Sequence, residues 1–272
     1  MNRLLCWVCT LAGFVAAFSV ISIISSDIQP VYAKEKIQVL IWSERTEPVE
    51  VYPKGINGAF LDFLAGEKNI EAKAANLGDT DQGITDESLK NTDVLVWFGH
   101  RKHADVSETT NALILKHVKE HGMGYLPIHS SHYAKAFQRI LQDIAADRGK
   151  PLEGTPGKWG IVKNEGKPES IHILTPKHPI VKGVRDFTIV KTESYTNPFN
   201  APDPDLKVLE GRYEGGPQDG NDGLLYQYGK GKVFYFRPGH ETYPIYFQKE
   251  VQQILKNAIR YLASEAPVKP RS

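Results

Sequence analysis

Apolar residues along the chain fall into two kinds of run. Short runs rich in β-branched residues read as buried strands at 37–42, 93–98 and 125–128, with a weaker one at 70–75. Between them, apolar positions recur at helical spacing. Ile56, Phe60, Leu61, Phe63 and Leu64 mark a helix over 56–68, and Ser107 caps another that runs to His121 and stops at Gly122. Tyr133, Ala136, Phe137, Ile140, Leu141 and Ile144 share one face of a third. Such alternation predicts parallel strands with helices on both faces. From 151 to 223 the pattern changes to Pro, Gly and short strands at 170–174, 187–194 and 206–212. The runs 224–228 and 233–237 flank Gly229, Lys230 and Gly231 and read as a hairpin. A closing helix carries Val251, Ile254, Leu255, Ala258, Ile259 and Leu262 on one stripe, and 266–272 read as a frayed tail. The expected fold class is α/β: a mostly parallel sheet flanked by helices, with a β-rich second half.

Ahead of the first strand stands a run of another sort. Residues 4–24 carry no charge, follow Arg3 and give way to Ser25, Ser26 and Asp27. A basic start, an apolar run and Val31, Tyr32 and Ala33 make the layout of a secretory signal over 1–33. The run is also long enough to cross a bilayer, so an uncleaved, outward-facing membrane anchor through 4–24 is the alternative. Either way the body, 34–265, is expected as one domain outside the cytoplasm, periplasmic or extracellular. Both cysteines, Cys6 and Cys9, lie in the leader. The body therefore offers no disulfide, no thiolate ligand and no cysteine nucleophile.

Charge and aromatic content narrow the partners. Lys and Arg number 33 against 32 Asp and Glu, a net charge of +1, so nucleic acid is not expected as a partner. Twelve Tyr, eleven Phe and four Trp are mostly core material. A few, such as Trp97, Tyr195 and Tyr243, are candidates for a platform on which a sugar stacks. Lys163 and Lys167 read as solvated surface.

Ligands of open α/β sheets bind beyond the carboxyl ends of the strands. Three segments leave strands there: Phe98 to His103, His129 to His132, and Arg237 to Glu241. They hold five of the nine histidines: His100, His103, His129, His132 and His240. A single histidine is usually structural; five on one rim suggest acid–base chemistry, since imidazole titrates near neutrality. The segment 125–132 has the form of a strand turning sharply into a helix, with His129 at the elbow and Ser130 next. The plainer reading is that both residues only cap the helix. His100 with His103, and His129 with His132, repeat an i, i+3 spacing, so a divalent metal on those four imidazoles is a further alternative.

Taken together, these segments resemble the trehalose-utilisation ThuA-like family of the class I glutamine amidotransferase-like, flavodoxin-like superfamily. The similarity rests on Val96 to His100 with His103, Ile128 to His132 through Phe137, and His178, Pro179 and Ile180 with Gly183. It continues through Glu193, Ser194 and Tyr195 with Pro198 and Phe199, and the long run Tyr235 to Pro244. The superfamily's glutaminases carry a Cys at the elbow and a His, then a Glu, after a late strand. The resemblance puts His129 in the Cys place and His240 and Glu241 at the late strand, so glutaminase chemistry is excluded by residue type. Two departures stand out. Ser131 replaces a usual Gly and is expected to tolerate positive φ less well. Lys158, Trp159 and Gly160 replace the family's Trp-Arg-Glu.

With export expected from the leader, the resemblance implies a protein acting on a small-molecule carbohydrate: trehalose, another disaccharide or a keto-glycoside. His129, His132, His240, Glu193 and Glu241 are the expected catalytic residues. Trp97, His100, His103, Ser130, Tyr195, Arg237 and Tyr243 are the expected substrate contacts. Isomerisation or elimination is the favoured reaction, with hydrolysis open. A non-catalytic sugar-binding module and a Ser130–His–Glu hydrolase are the competing readings.

Overall fold

The computed structural model describes residues 36–160, 162–214, 221–266 and 268. The expected leader, residues 1–33, and the apolar stretch 4–24 lie outside the described residues. Among those described, no helix is long and apolar enough to cross a membrane.

The first half alternates as its pattern requires. Strand β1 (Ile37–Ser43) is followed by α1 (Gly55–Leu64), β2 (Ile70–Asn76), α2 (Asp86–Lys90), β3 (Val94–Phe98), α3 (Glu108–His121), β4 (Gly124–Pro127) and α4 (Lys135–Asp147). Pairing is parallel throughout: Val39 faces Val94 and Val94 faces Gly124 in register. Alternate side chains point to opposite faces of the sheet. Val39, Ile41, Val94 and Val96 enter one core with α1, whereas Leu40, Trp42, Leu95 and Trp97 enter the other with α3 and α4. Trp42 and Trp97, neighbours in register, stack with ring centroids 3.6 Å apart. Trp97 is thereby buried in the helix-covered core and is not the rim aromatic expected of it.

The second half holds β5 (Val162–Ile173), β6 (Phe187–Tyr195), β7 (Leu206–Arg212), β8 (Gly223–Tyr228) and β9 (Gly231–Phe236), closed by α5 (Lys249–Leu262). It forms no separate layer. One nine-stranded sheet runs β2-β1-β3-β4-β9-β8-β7-β5-β6, with β9 parallel to β4 and the remainder antiparallel. The class expected from the sequence is the one observed. The β5–β6 hairpin is longer than expected and has two shifts of register, at Lys163/Lys167 and Lys167/Glu169. Such irregularities bend a ribbon. Beyond the bend, Glu193 forms an isolated bridge with Gly239 in the loop after β9, so the edge strand reaches the rim where the parallel strands end.

Two helix boundaries differ from expectation. Helix α1 stops at Leu64, ahead of the turn closed by Glu67 N–H donating to the Leu64 carbonyl. Helix α4 starts at Lys135, because His129–Tyr133 tighten into a 3-10 turn and Ala134 is extended. Tyr133 is consequently exposed rather than on the buried face. Val268, in the stretch expected to fray, is buried against the core.

Candidate active site

The site is assembled at the carboxyl ends of β3, β4, β6 and β9. The elbow expected after β4 is present, and its strain falls on His129, at φ 45°. A non-glycine residue rarely holds that conformation unless its surroundings fix it. Here the Tyr235 hydroxyl donates to the His129 carbonyl at 2.9 Å. Gly239 passes so close that a Cβ there would meet His129 Cβ at 2.3 Å, which is why this rim position has no side chain. Ser131 is not among the positive-φ residues, so the difficulty expected from its replacing Gly does not arise. Its hydroxyl instead donates to the Trp97 carbonyl at 2.8 Å and accepts from Gly99 N–H at 3.0 Å, tying the elbow to the loop that carries His100.

His129 is fully buried with both ring nitrogens engaged. Nδ1–H donates to the Arg237 carbonyl at 2.8 Å, while Nε2 lies 3.0 Å from Glu193 Oε2 and 2.9 Å from Tyr195 Oη. A carbonyl on one side, and a carboxylate and a hydroxyl on the other, fix the orientation of the ring. Burial tends to raise the Glu193 pKa, but the hydrogen bond and charge of His129 outweigh it and hold the carboxyl at about 2.

Ring contacts carry the group outward in both directions. His240 lies 5.7 Å from His129, centroid to centroid, and His100 lies 4.9 Å from His240. On the other side Tyr195 is 5.0 Å from His129, His132 is 5.0 Å from Tyr195, Tyr133 is 4.1 Å from His132, and His103 is 6.3 Å from Tyr133. All five rim histidines thus belong to one chain of rings. Their environments differ. Burial drives His132 down to about 3, and Nδ1–H donates to the Gly157 carbonyl at 2.7 Å, so the ring is neutral. Burial also lowers the pKa values of His103 and His240. For His100 burial acts downward too, but the hydrogen bond and charge of Glu241 outweigh it and raise the pKa.

The four-imidazole metal set does not converge. Arg237, Glu193 and Tyr195 occupy His129, and Gly157 holds Nδ1 of His132. Among the described residues, the group whose ligand atoms approach one another is His100, His240 and Glu241, all within 4.8 Å. Arg237 is not a substrate contact either. Its side chain is buried, with Nη2 2.5 Å from Glu169 Oε1 and paired with Asp222. Ser130 Oγ meets Tyr195 Oη at 3.5 Å. Tyr243 lies on the rim as expected, 5.8 Å from the His240 ring. Trp159, in the departure from the family pattern, stacks on Phe199 at 4.1 Å and backs Tyr195 at 5.7 Å.

Glu44 was not foreseen. Directly after β1 it is buried and accepts from the backbone N–H groups of Arg101 and Lys102, which fixes the loop holding His100. A charged residue at the carboxyl end of a buried strand was the available signal.

The family described as ThuA, trehalose utilisation, matches residues 38–262. The chain belongs to the ThuA family. A putative ThuA-like protein from Parabacteroides merdae superposes with a TM-score of 0.62 at 16% identity, covering 85% of this chain and 91% of that one. One from Bacteroides uniformis gives 0.59 at 16% identity, covering 85% and 93%. At that identity the ThuA-like structures share the fold. No curated protein matches the chain.

Proposed function

We propose that this ThuA-like protein moves protons on a carbohydrate, a keto-glycoside or disaccharide, at the rim formed by β3, β4, β6 and β9. The observation that carries the reading is the contrast between the two rings that flank His129. Burial raises the pKa of the Tyr195 hydroxyl, which keeps its proton, and lowers that of the His240 imidazole. Groups whose surroundings drive their protonation apart are the usual acid and base of a proton-transfer site. His240 is the base that takes a proton from the carbon beside a carbonyl. The Tyr195 hydroxyl, held in place by the His129–Glu193 pair, donates to the oxygen, with His132 as a neutral ring behind it. Isomerisation or elimination follows from that division of roles.

The serine-hydrolase reading has less support. The imidazole next to Ser130 in sequence turns to Arg237, Glu193 and Tyr195, and Ser130 Oγ meets the tyrosine. The sugar-binding module remains the competitor. The same proposal places the body outside the cytoplasm, carried there by the 1–33 leader; fractionation of cells expressing the full chain checks it.

Incubation of the full chain with a keto-disaccharide in D₂O separates enzyme from module. Deuterium is expected at a ring carbon next to the carbonyl, and His240→Ala should abolish its uptake. Calorimetric binding of the sugar without any exchange would leave only the module.

A further inference from the structure

We infer that His100, His240 and Glu241 form a binding site for a first-row divalent cation of the zinc type. One ligand atom from each lies within 4.8 Å of the other two. Two imidazoles and a carboxylate are a donor set that zinc accepts with a fourth position open. Two further observations favour a cation over a plain hydrogen-bonded trio. Glu241 is fully buried, yet its Oε2 has no hydrogen-bond partner. The His240 Nδ1 that stands 3.7 Å from this oxygen is turned to Thr242. A buried carboxylate oxygen left in that state is unfavourable unless an ion takes it. In addition, His240 holds φ 95°. Strain of this kind in a non-glycine residue is characteristic of positions that hold a ligand.

The geometry has to tighten. Zinc–nitrogen bonds of about 2.0–2.1 Å in a tetrahedron put neighbouring donors about 3.3 Å apart. His100 and His240 are only half-buried and can turn to close that gap. Nδ1 of His240 is taken up by Thr242, 2.7 Å from its hydroxyl and 3.3 Å from its N–H, which leaves Nε2 for the cation with the kind of outer contact that metal-bound imidazoles usually make. Arg101 is the competing charge, with Nε 3.6 Å from Glu241 Oε1, but its side chain is 64% exposed and can swing away. Binding displaces the proton shared by His100 and Glu241 to solvent. Cation and proton compete for His240, so a bound cation would suspend its role as base; the site stands on its own geometry and does not rest on the proton-transfer reading.

The test needs no sugar, so its failure leaves that reading standing. Chelator-treated full chain is titrated with Zn²⁺ by calorimetry in buffers of different ionisation heat, with thermal melts alongside. One equivalent is expected to bind, with release of about one proton and a rise in melting temperature. His240→Asn and Glu241→Gln should each weaken binding by about tenfold or more, while His121→Asn, exposed at the end of α3, leaves it unchanged. His100→Gln, on the half-exposed side, should weaken it as well and serves if Glu241→Gln does not fold. No binding by the unaltered chain, or an affinity in His240→Asn and His100→Gln equal to that of the unaltered chain, overturns the assignment.

Discussion

A carboxylate held against a buried imidazole, as Glu193 is against His129, ties stability to pH. Its pKa falls from the ordinary 4.5 to about 2 on folding. A group depressed in this way stabilises the fold above its unfolded value, and the contribution fades as pH drops through the folded one. Glu193→Gln leaves a buried ring without its charged acceptor, a loss of about 1–3 kcal/mol at pH 7. Urea unfolding at a series of pH values should show that deficit constant above about pH 5 and closing as pH falls toward about 2. A deficit that persists unchanged at pH 2 contradicts the pairing. The sequence exposed these residues unevenly. The five histidines and Glu193 were legible because each follows or ends a strand, and strand ends lie on the rim of such a sheet. Trp97 and Arg237 occupy equally suggestive places, but which way a side chain points depends on sheet register and on partners far along the chain. Register put Trp97 on Trp42, and distant Glu169 and Asp222 drew Arg237 inward.

Among the elements, α3 was read most closely, because both of its ends are written in local chemistry. Ser107 accepts from Thr110 N–H at 3.0 Å at the start, and Gly122 closes the end at φ 82°. Ser107→Ala should cost about 1 kcal/mol through the lost cap. A Cβ on Gly122 meets nothing nearer than 3.7 Å, so Gly122→Ala carries only the conformational penalty, also about 1 kcal/mol. The ends are far apart, and the double variant should lose the sum of the two in urea unfolding. A much smaller combined loss means that the helix is held by packing alone. The elbow and the β5–β6 hairpin were harder to read. Ala134 is an unremarkable residue for a helix, yet the 3-10 turn before it shifts the start to Lys135. In β5 the stretch 163–169 contains Gly166, Pro168 and four charges, a composition that reads as loop. Only pairing with the partner strand makes it extended, and that information is not local.

At the scale of the whole molecule, one sheet changes from parallel to antiparallel, and the site draws on both parts. Histidines come from β3, β4 and β9, whereas Glu193 and Tyr195 come from the far edge strand. Something must hold that edge to the rest, and the buried Arg237 group is placed to do so. Arg237 follows β9, Asp222 precedes β8 and Glu169 lies on β5, so one guanidinium joins three strands of the antiparallel part. Its Cζ also lies 6.0 Å from the Trp159 ring, behind Tyr195. Burial alone would lower the Arg237 pKa, but the charges of Asp222 and Glu169 outweigh it and raise it. Removing one member of such a group leaves the others buried and uncompensated. Arg237→Ala should therefore cost about 3–5 kcal/mol in urea unfolding, far more than a rim residue. His240→Ala, on the half-buried rim, should cost under ~1 kcal/mol while removing proton exchange. The pair of variants separates scaffold from chemistry. If Arg237→Ala instead unfolds like the unaltered chain and loses sugar affinity, the arginine is a substrate contact after all, and the sheet is held together by its apolar cores.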